Sequence, residues 1–294
     1  GKQYVGSNDK MKRQSLLLVD GHNLLFQMFY GMPNKIYGKD GMSCHGVIGF
    51  IGGLLKSLTI NNPDYLLIVF DGEDSGNRRE INSNYKANRI DYSQVPISEN
   101  PFSQYPQILK ALDYINIKYY ETDGYEADDL IASYVKHYQD EIKVLIQSND
   151  TDFLQLINQN VNIFKYRGKN SKRLTEKEVV LNFGVTPDKI ALLKSLVGDK
   201  SDNLIGVSKV GVKTAAKLLN KFNTIENIYH NIDSIESESI RSNLITDKDT
   251  VFKNYALINL TGEIELPYHL DELKCKANYQ DYKTFEVLKK INIL

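Results

Sequence analysis

The sequence predicts an α/β protein with a mostly parallel central sheet flanked by helices, and three observations carry that prediction. "SLLLVDG" from Ser15, "YLLIVFDG" from Tyr65 and "KVLIQSND" from Lys143 are short continuous apolar runs, each ending in aspartate. Runs of this kind suit strands buried on both faces. Between the runs lie stretches such as "GVIGFIGGLLKSL" and "QYPQILKALDYI", whose apolar residues recur at helical spacing. Strand and helix in alternation are the pattern of a parallel sheet.

Each element brings a charge with it. The first run delivers Asp20 and the second Asp71. A polar excursion from about 72 to 105, punctuated by Pro96 and Pro101 and followed by Pro106, reads as an insertion placed over the site. A weaker strand, "INIKYYETDG", leads into "GYEADDLI", which opens a helix with Glu126, Asp128 and Asp129. The third strong run ends at "NDTDF", with Asp150 and Asp152, and "GDKSDN" adds Asp199 and Asp202 further on. Residues 11–180 are thus expected to form the α/β core and residues 181–294 a helical subdomain.

Composition bounds what such a chain can do. With 294 residues, 41% hydrophobic and 25% charged, it suits an ordinary globular protein with two cores or one elaborated core. Lys and Arg number 36 against 37 Asp and Glu, so no overall charge draws it to nucleic acid or membrane, and any attraction must be local. Two distant cysteines, Cys44 and Cys275, lack metal-ligand spacing; they argue against zinc or a disulfide framework and for the cytoplasm. No apolar run approaches the ~20 residues of a membrane span. The opening "GKQYVGSNDKMKRQS" lacks the hydrophobic centre of a signal peptide. Residues 1–10 read as an appended tail, with Met11 as the start.

Taken singly, each acidic cluster reads as a helix cap or a turn, where Asp and Glu are at home. Taken together, nine carboxylates at strand ends and turns would repel one another unless paired or bound to metal. Lys200 is the one basic residue inside any of the clusters. The carboxyl ends of strands in open α/β sheets line the ligand crevice, so the carboxylates are expected to converge there. Ligands that are all oxygen select magnesium or manganese over zinc. Two such ions about 3.5 to 4 Å apart are the usual device for phosphodiester hydrolysis, activating a water and stabilising the leaving oxygen.

Two basic stretches fit that chemistry. "GNRREINSNYKANR", residues 76–89, carries Arg78, Arg79, Lys86 and Arg89 around Tyr85. A solvated charged face is the plain reading; beside a metal cluster Lys86 and Arg89, which share one helical face, could grip a phosphate, and Tyr85 could stack on a base. In "GVSKVGVKTAAKLLNKF", residues 206–222, Gly206 and Gly211 flank a tight turn containing Lys209. A helix with Thr214 and with Lys213, Lys217 and Lys221 at intervals of four follows. Its free N–H groups and lysine stripe suit a sugar-phosphate backbone read without sequence preference. "SIESESIRSN" reads as a solvated helix or linker, and none of the five histidines is assigned catalysis; His22, beside Asp20, is read as structural.

Seven motifs in unbroken order, "LLLVDGHNL", "VFDG", "YKANR", "GYEADDLIA", "SNDTDFLQL", "LVGDKSDN" and "GVSKVGVKTAAKLL", resemble the bacterial and phage 5′ nucleases, or flap endonucleases. That family includes the N-terminal nuclease domain of bacterial DNA polymerase I. The resemblance implies metal ligands at Asp20, Asp71, Glu126, Asp128, Asp129, Asp150, Asp152, Asp199 and Asp202. The earlier residues would serve a first ion; Asp150, Asp152 and Asp199 would chiefly serve a second, with Asp202 behind them. It makes Lys86 and Arg89 the basic pair of a helical arch, with Arg78 at its base. It also makes residues 203–221 a helix-hairpin-helix that holds duplex DNA and often a monovalent cation such as potassium.

Two places depart from the family pattern. Ser208 and Lys209 stand where the hairpin usually carries proline then glycine, and Arg79 stands where many relatives have histidine. Asp150, Asp152 and Asp199 are all retained, which implies catalytic competence. The implied activity is structure-specific 5′-3′ exonuclease and 5′-flap endonuclease cleavage with two Mg2+ or Mn2+ ions, by a monomer in the bacterial cytoplasm. The implied substrates are DNA with a 5′ flap or single-stranded 5′ end and RNA primers on DNA, removed in replication and repair. Without a polymerase region, the chain reads as a standalone enzyme or a processed fragment. Two alternatives stay open: a single-strand ribonuclease of a related small acidic-site class, which lacks the Gly206–Lys221 element, and a DNA-junction binding protein without catalysis.

Overall fold

A computed structural model describes residues 14–72, 89–276 and 279–294. The first half builds the sheet. β1 (Ser15–Asp20) runs into α1 (Gly21–Gly31), and α2 (His45–Asn61) leads to β2 (Tyr65–Phe70). After the insertion come α3 (Tyr105–Ile115), β3 (Tyr119–Glu121), α4 (Ala127–Tyr138), β4 (Lys143–Gln147), β5 (Val161–Lys165) and β6 (Lys172–Leu174). The strands lie in the order β3-β2-β1-β4-β5-β6. All pairings are parallel except β5 with β6. The weak run at 115–124 does enter the sheet, as the short β3.

Both faces of the sheet are covered, which is why the three strong runs show no polar alternation. Leu16 and Leu18 of β1 face one core, with Leu67, Val69 and the α4 residues Leu130, Ile131 and Tyr134. Leu17 and Val19 face the other, with Leu66, Ile68, Phe70 and the α2 residues Phe50, Ile51 and Leu54. Central β1 is fully buried from Leu16 to Val19.

The second half is helical. It comprises α5 (Glu176–Phe183), α6 (Ile190–Val197), a two-stranded ribbon of β7 (Gly198–Asp199) and β8 (Leu204–Ile205), then α7 (Val212–Phe222), α8 (Ile225–His230), α9 (Glu238–Thr246) and α10 (Lys248–Ile258), with α11 (Thr284–Lys290) last. These helices continue the core on the α4 side: Leu193, Val207, Ala215, Leu219 and Leu244 belong to the same apolar cluster as Leu130.

The expected helical subdomain of residues 181–294 does not run to the end of the chain. The Tyr134 hydroxyl donates to Tyr268 O at 3.0 Å, and Cys275 N–H donates to Asp64 O at 2.8 Å beside β2. Tyr279, Val287 and Leu288 then pack into the α2 core. Residues beyond about 264 therefore form a strap that returns to the sheet. Among the described residues no helix is long and apolar enough to cross a membrane.

Candidate active site

Parallel strands all end at one edge, and that edge collects the carboxylates. Asp20 is the last residue of β1, and Asp71 immediately follows β2. Asp20 accepts from the Ser148 hydroxyl at 2.8 Å, and the same hydroxyl oxygen accepts from Asp150 N–H at 3.0 Å. This joins β1 to the loop after β4. Asp71 accepts from Ala127 N–H at 2.7 Å, joining β2 to the start of α4.

Three carboxylate sets result, each with ligand oxygens within 4.8 Å of one another: Glu126, Asp128 and Asp129; Asp128, Asp150 and Asp152; Asp152, Asp199 and Asp202. Asp128 and Asp152 each belong to two sets, so the three make one connected cluster. Asp20 and Asp71 fall outside these tight sets but border them. Burial raises the Asp20 carboxyl well above its ordinary range, with the charges of Asp71, Asp150 and Asp128 adding to the shift.

The plain helix-start reading also holds. Asp129 accepts from Glu126 N–H at 3.1 Å, as an acidic residue in a first helical turn does. Capping and clustering are thus properties of the same side chains.

One residue escaped the sequence reading. Lys194, on α6, sends its ammonium into the acidic cluster: Nζ donates to Asp152 Oδ1 and Thr151 Oγ1 at 2.6 Å each, and to Asp199 Oδ2 at 3.3 Å. Burial works against this charge, but Asp152 and Asp199 outweigh it and raise its pKa. Lys200, the cation found inside a cluster by sequence, is exposed. A lysine in the apolar stretch "IALLKSLV" is the signal that could have revealed Lys194, since lysine is almost never fully buried unless paired.

A second cation enters from the insertion. Arg89 Nη2 donates to Asp202 Oδ1 at 2.7 Å, and Asp202 is nearly fully buried. Arg78, Arg79, Tyr85 and Lys86, with the rest of residues 73–88 of the expected arch, lie outside the described residues.

Even with Lys194 present, the cluster holds more negative charge than it can settle. Burial and the Asp128 and Asp202 charges raise the Asp150 carboxyl. Burial and Asp150 push Asp152 up to about 7 despite the ammonium. Asp199 goes the other way: burial pushes it up, but the Ser201 hydroxyl and Lys194 outweigh that and leave it low. His22 is packed among Phe26, Phe70, Phe102 and Tyr105, and burial lowers its pKa although Asp71 lies 3.7 Å away.

The hairpin at 206–211 has internal reasons for its residues. A Cβ on Gly206 would meet Val197 C at 2.2 Å, so this glycine serves the ribbon's packing against α6. Lys209 has φ of 64°, the left-handed conformation that glycine adopts without strain. Asn243 donates to Ser208 O at 2.9 Å, and Ser208 N–H donates to Asp247 at 3.3 Å, so α9, which begins in the stretch read as a solvated helix or linker, braces the hairpin together with the residue after it. Gly211 precedes α7, and Lys209, Lys213, Lys217 and Lys221 are all exposed, with Thr214 half-buried.

A parallel sheet crowned by interlocking carboxylates and followed by a small helical unit defines a nuclease of the resolvase-like class. The chain belongs to the 5′-3′ exonuclease family: its N-terminal resolvase-like domain matches residues 15–184 and its C-terminal SAM fold matches residues 185–281. A 5′-3′ exonuclease of Aquifex aeolicus is 32% identical over 265 residues, covering 90% of this chain and 87% of that one. DNA polymerase I of Caldicellulosiruptor bescii is 32% identical over 278 residues, which cover 93% of this chain but 32% of the polymerase. The chain thus spans about a third of the polymerases it matches. Among solved structures, the T5 5′-exonuclease with zinc bound shares the fold at TM-score 0.68 and 23% identity, covering 94% of this chain and 99% of that one. The catalytic core of Rad2 in complex with a DNA substrate does so at TM-score 0.59 and 16% identity, covering 97% and 94%.

The donor set fits hard divalent cations, because every candidate ligand atom is a carboxylate oxygen. A pH dependence follows. Carboxyls held high bind protons more tightly folded than unfolded, so their stabilisation is fully present below the ordinary carboxylate pKa and is lost as pH rises toward about 7. In chelator the melting temperature is expected to fall between about pH 5 and pH 7.5. Magnesium, which requires deprotonated ligands, is expected to raise it more at the higher pH. Thermal melts with and without magnesium check this; a chelated protein that grows more stable over the interval contradicts it.

Proposed function

We propose that the chain is a structure-specific 5′ nuclease that hydrolyses phosphodiesters where a 5′ flap or single-stranded 5′ end meets duplex DNA, using a pair of divalent ions. Asp20, Asp71, Glu126, Asp128 and Asp129 would hold one ion; Asp150, Asp152 and Asp199 would hold the other, with Asp202 supporting them. Bound magnesium or manganese supplies a polarised phosphate, an activated water and a stabilised leaving oxygen.

The chain's own residues do the rest. Arg89, swung from Asp202, meets the charge that builds on the scissile phosphate, and Lys86 and Arg78 act beside it. Tyr85 stacks on the passing strand. Lys209, Lys213, Thr214, Lys217 and Lys221, with the backbone around Gly206 and Gly211, hold the duplex through its phosphates, and a potassium ion would bind at the hairpin. Lys194 keeps Asp152 and Asp199 oriented. The protein works as a monomer, removing RNA primers and flaps in replication and repair.

The observation that carries this reading is the linkage of three carboxylate sets through Asp128 and Asp152 at one sheet edge. Its test is a 5′-labelled flap duplex incubated with the protein and magnesium, with chelator, and beside the same strand lacking a complement. Product that requires both magnesium and the junction is expected. Chelator-resistant cleavage, or none at all, defeats the proposal.

A further inference from the structure

The segment that carries Asp150 and Asp152 is held by side chains rather than by the sheet. The pairing of β4 ends at Gln147, opposite Val19 of β1 and Phe164 of β5, and the residues from Ser148 onward leave the ladder. Ser148 is one fastening, since its hydroxyl joins Asp20 to Asp150 N–H. The others come from α1. Asn23 Oδ1 accepts from Asn149 N–H at 3.0 Å, and Gln27 Oε1 accepts from Asn149 Nδ2 at 3.3 Å. Gln27 is held in turn, because its Nε2 donates to Tyr166 O at 2.6 Å.

Asn23 and Gln27 are four residues apart and share one face of α1. That helix starts at the residue after Asp20, and a Cβ on Gly21 would lie 2.3 Å from the Phe70 ring, so its first turn rests directly on the end of β2. A closed ring results. Asp20 leads into α1, α1 grips Asn149 through Asn23 and Gln27, Asn149 precedes Asp150, and Ser148 bonds back to Asp20. Hydrogen bonds between neutral, half-buried amides add little net stability, and none of the three amides brings charge to a metal or a phosphate. What the ring fixes is position: Asp20 and Asp150 become parts of one rigid piece.

We infer that Asn23 and Gln27 are positioning residues that set the spacing of the two divalent ions, with α1 carrying Asp20 at its head and holding Asp150 at a fixed offset through Asn149. The inference rests on the nuclease reading, in which Asp20 serves one ion and Asp150 the other, and it adds the residues that relate the two. The ions must lie about 3.5 to 4 Å apart to clamp an in-line displacement. A misplacement of about 1 Å in a reacting site costs about a hundredfold in rate. Groups that orient metal ligands are typically worth about tenfold to a hundredfold in metal affinity or activity.

The test uses Gln27→Met, Asn149→Ala and the double variant in the full chain, with Asn23→Ala as a separate break in the same ring. Three quantities are measured: affinity for a 5′-flap duplex in chelator, the single-turnover cleavage rate at saturating magnesium, and the binding of Mn2+, followed by the electron paramagnetic resonance signal of the free ion. Flap affinity is expected to match the unaltered chain, while the rate falls about tenfold to a hundredfold. One manganese ion is expected to keep its affinity and the other to bind about tenfold more weakly or worse. The double variant is expected to be no slower than the slower single one, because both substitutions cut the same link.

Rate losses that multiply in the double variant overturn the inference, as do variants whose rates and manganese binding equal those of the unaltered chain. A loss of flap affinity in chelator as large as the loss of rate also overturns it, since that result places the α1 amides on the DNA. Thermal melts report whether each variant folds; if Gln27→Met does not, Asn23→Ala decides by the same three measurements. If the unaltered chain cuts the flap with magnesium while the variants match it, only this inference falls. If the unaltered chain neither cuts nor binds manganese, the nuclease reading falls with it.

Discussion

Asp128→Asn is expected to slow flap cleavage by on the order of a thousandfold or more, while DNA affinity stays within a few-fold of the unaltered chain. Asp128 is shared by two of the three carboxylate sets, so its loss reaches both halves of the cluster. Asparagine keeps the shape but offers a neutral oxygen, and a bound divalent ion is worth several kcal/mol of transition-state stabilisation, each 1.36 kcal/mol being about tenfold in rate. Single-turnover rates in magnesium, with binding measured in chelator, separate the two quantities. A rate loss below about tenfold would remove Asp128 from the ion-holding set.

The second large effect concerns folding. Gly206→Ala is expected to destabilise the chain by about 4 kcal/mol or more, a loss of about 8 °C or more in melting temperature. The added Cβ would sit 2.2 Å from Val197 C, 2.3 Å from Val197 O and 2.5 Å from Gly198 N, all backbone atoms that cannot step aside. The displaced ribbon carries Asp199 on one strand and follows Asp202 with the other, so cleavage is expected to fall as well. Gly211→Ala is the matched control, because nothing lies within 4 Å of the position its Cβ would take. It is expected to cost about 1 kcal/mol or less. Comparable melts for the two variants would show that the close approach at Gly206 is relieved at little cost.

The sheet was legible because burial on both faces leaves a simple trace: β1, β2 and β4 are continuous apolar runs, and a parallel sheet puts their ends together. That geometry is why Asp20, Asp71 and Asp150 could be assigned to one edge from sequence. What was not legible depends on contacts between distant segments. Lys194 looks like one lysine among many until α6 aims it at Asp152, and Asn243 and Asp247 look like a solvated segment until they brace Ser208. The return of residues 268–288 to the core carries no period of its own, because short turns interrupt it. Gly206 was read as flanking a tight turn, and the close approach of Val197 to it was not visible. Local pattern identifies a glycine that matters without saying what approaches it.

The buried ammonium of Lys194 has a bearing on how the molecule is made. A polypeptide that brings its own positive charge to Asp152 and Asp199 offsets part of their mutual repulsion as this corner of the interior closes.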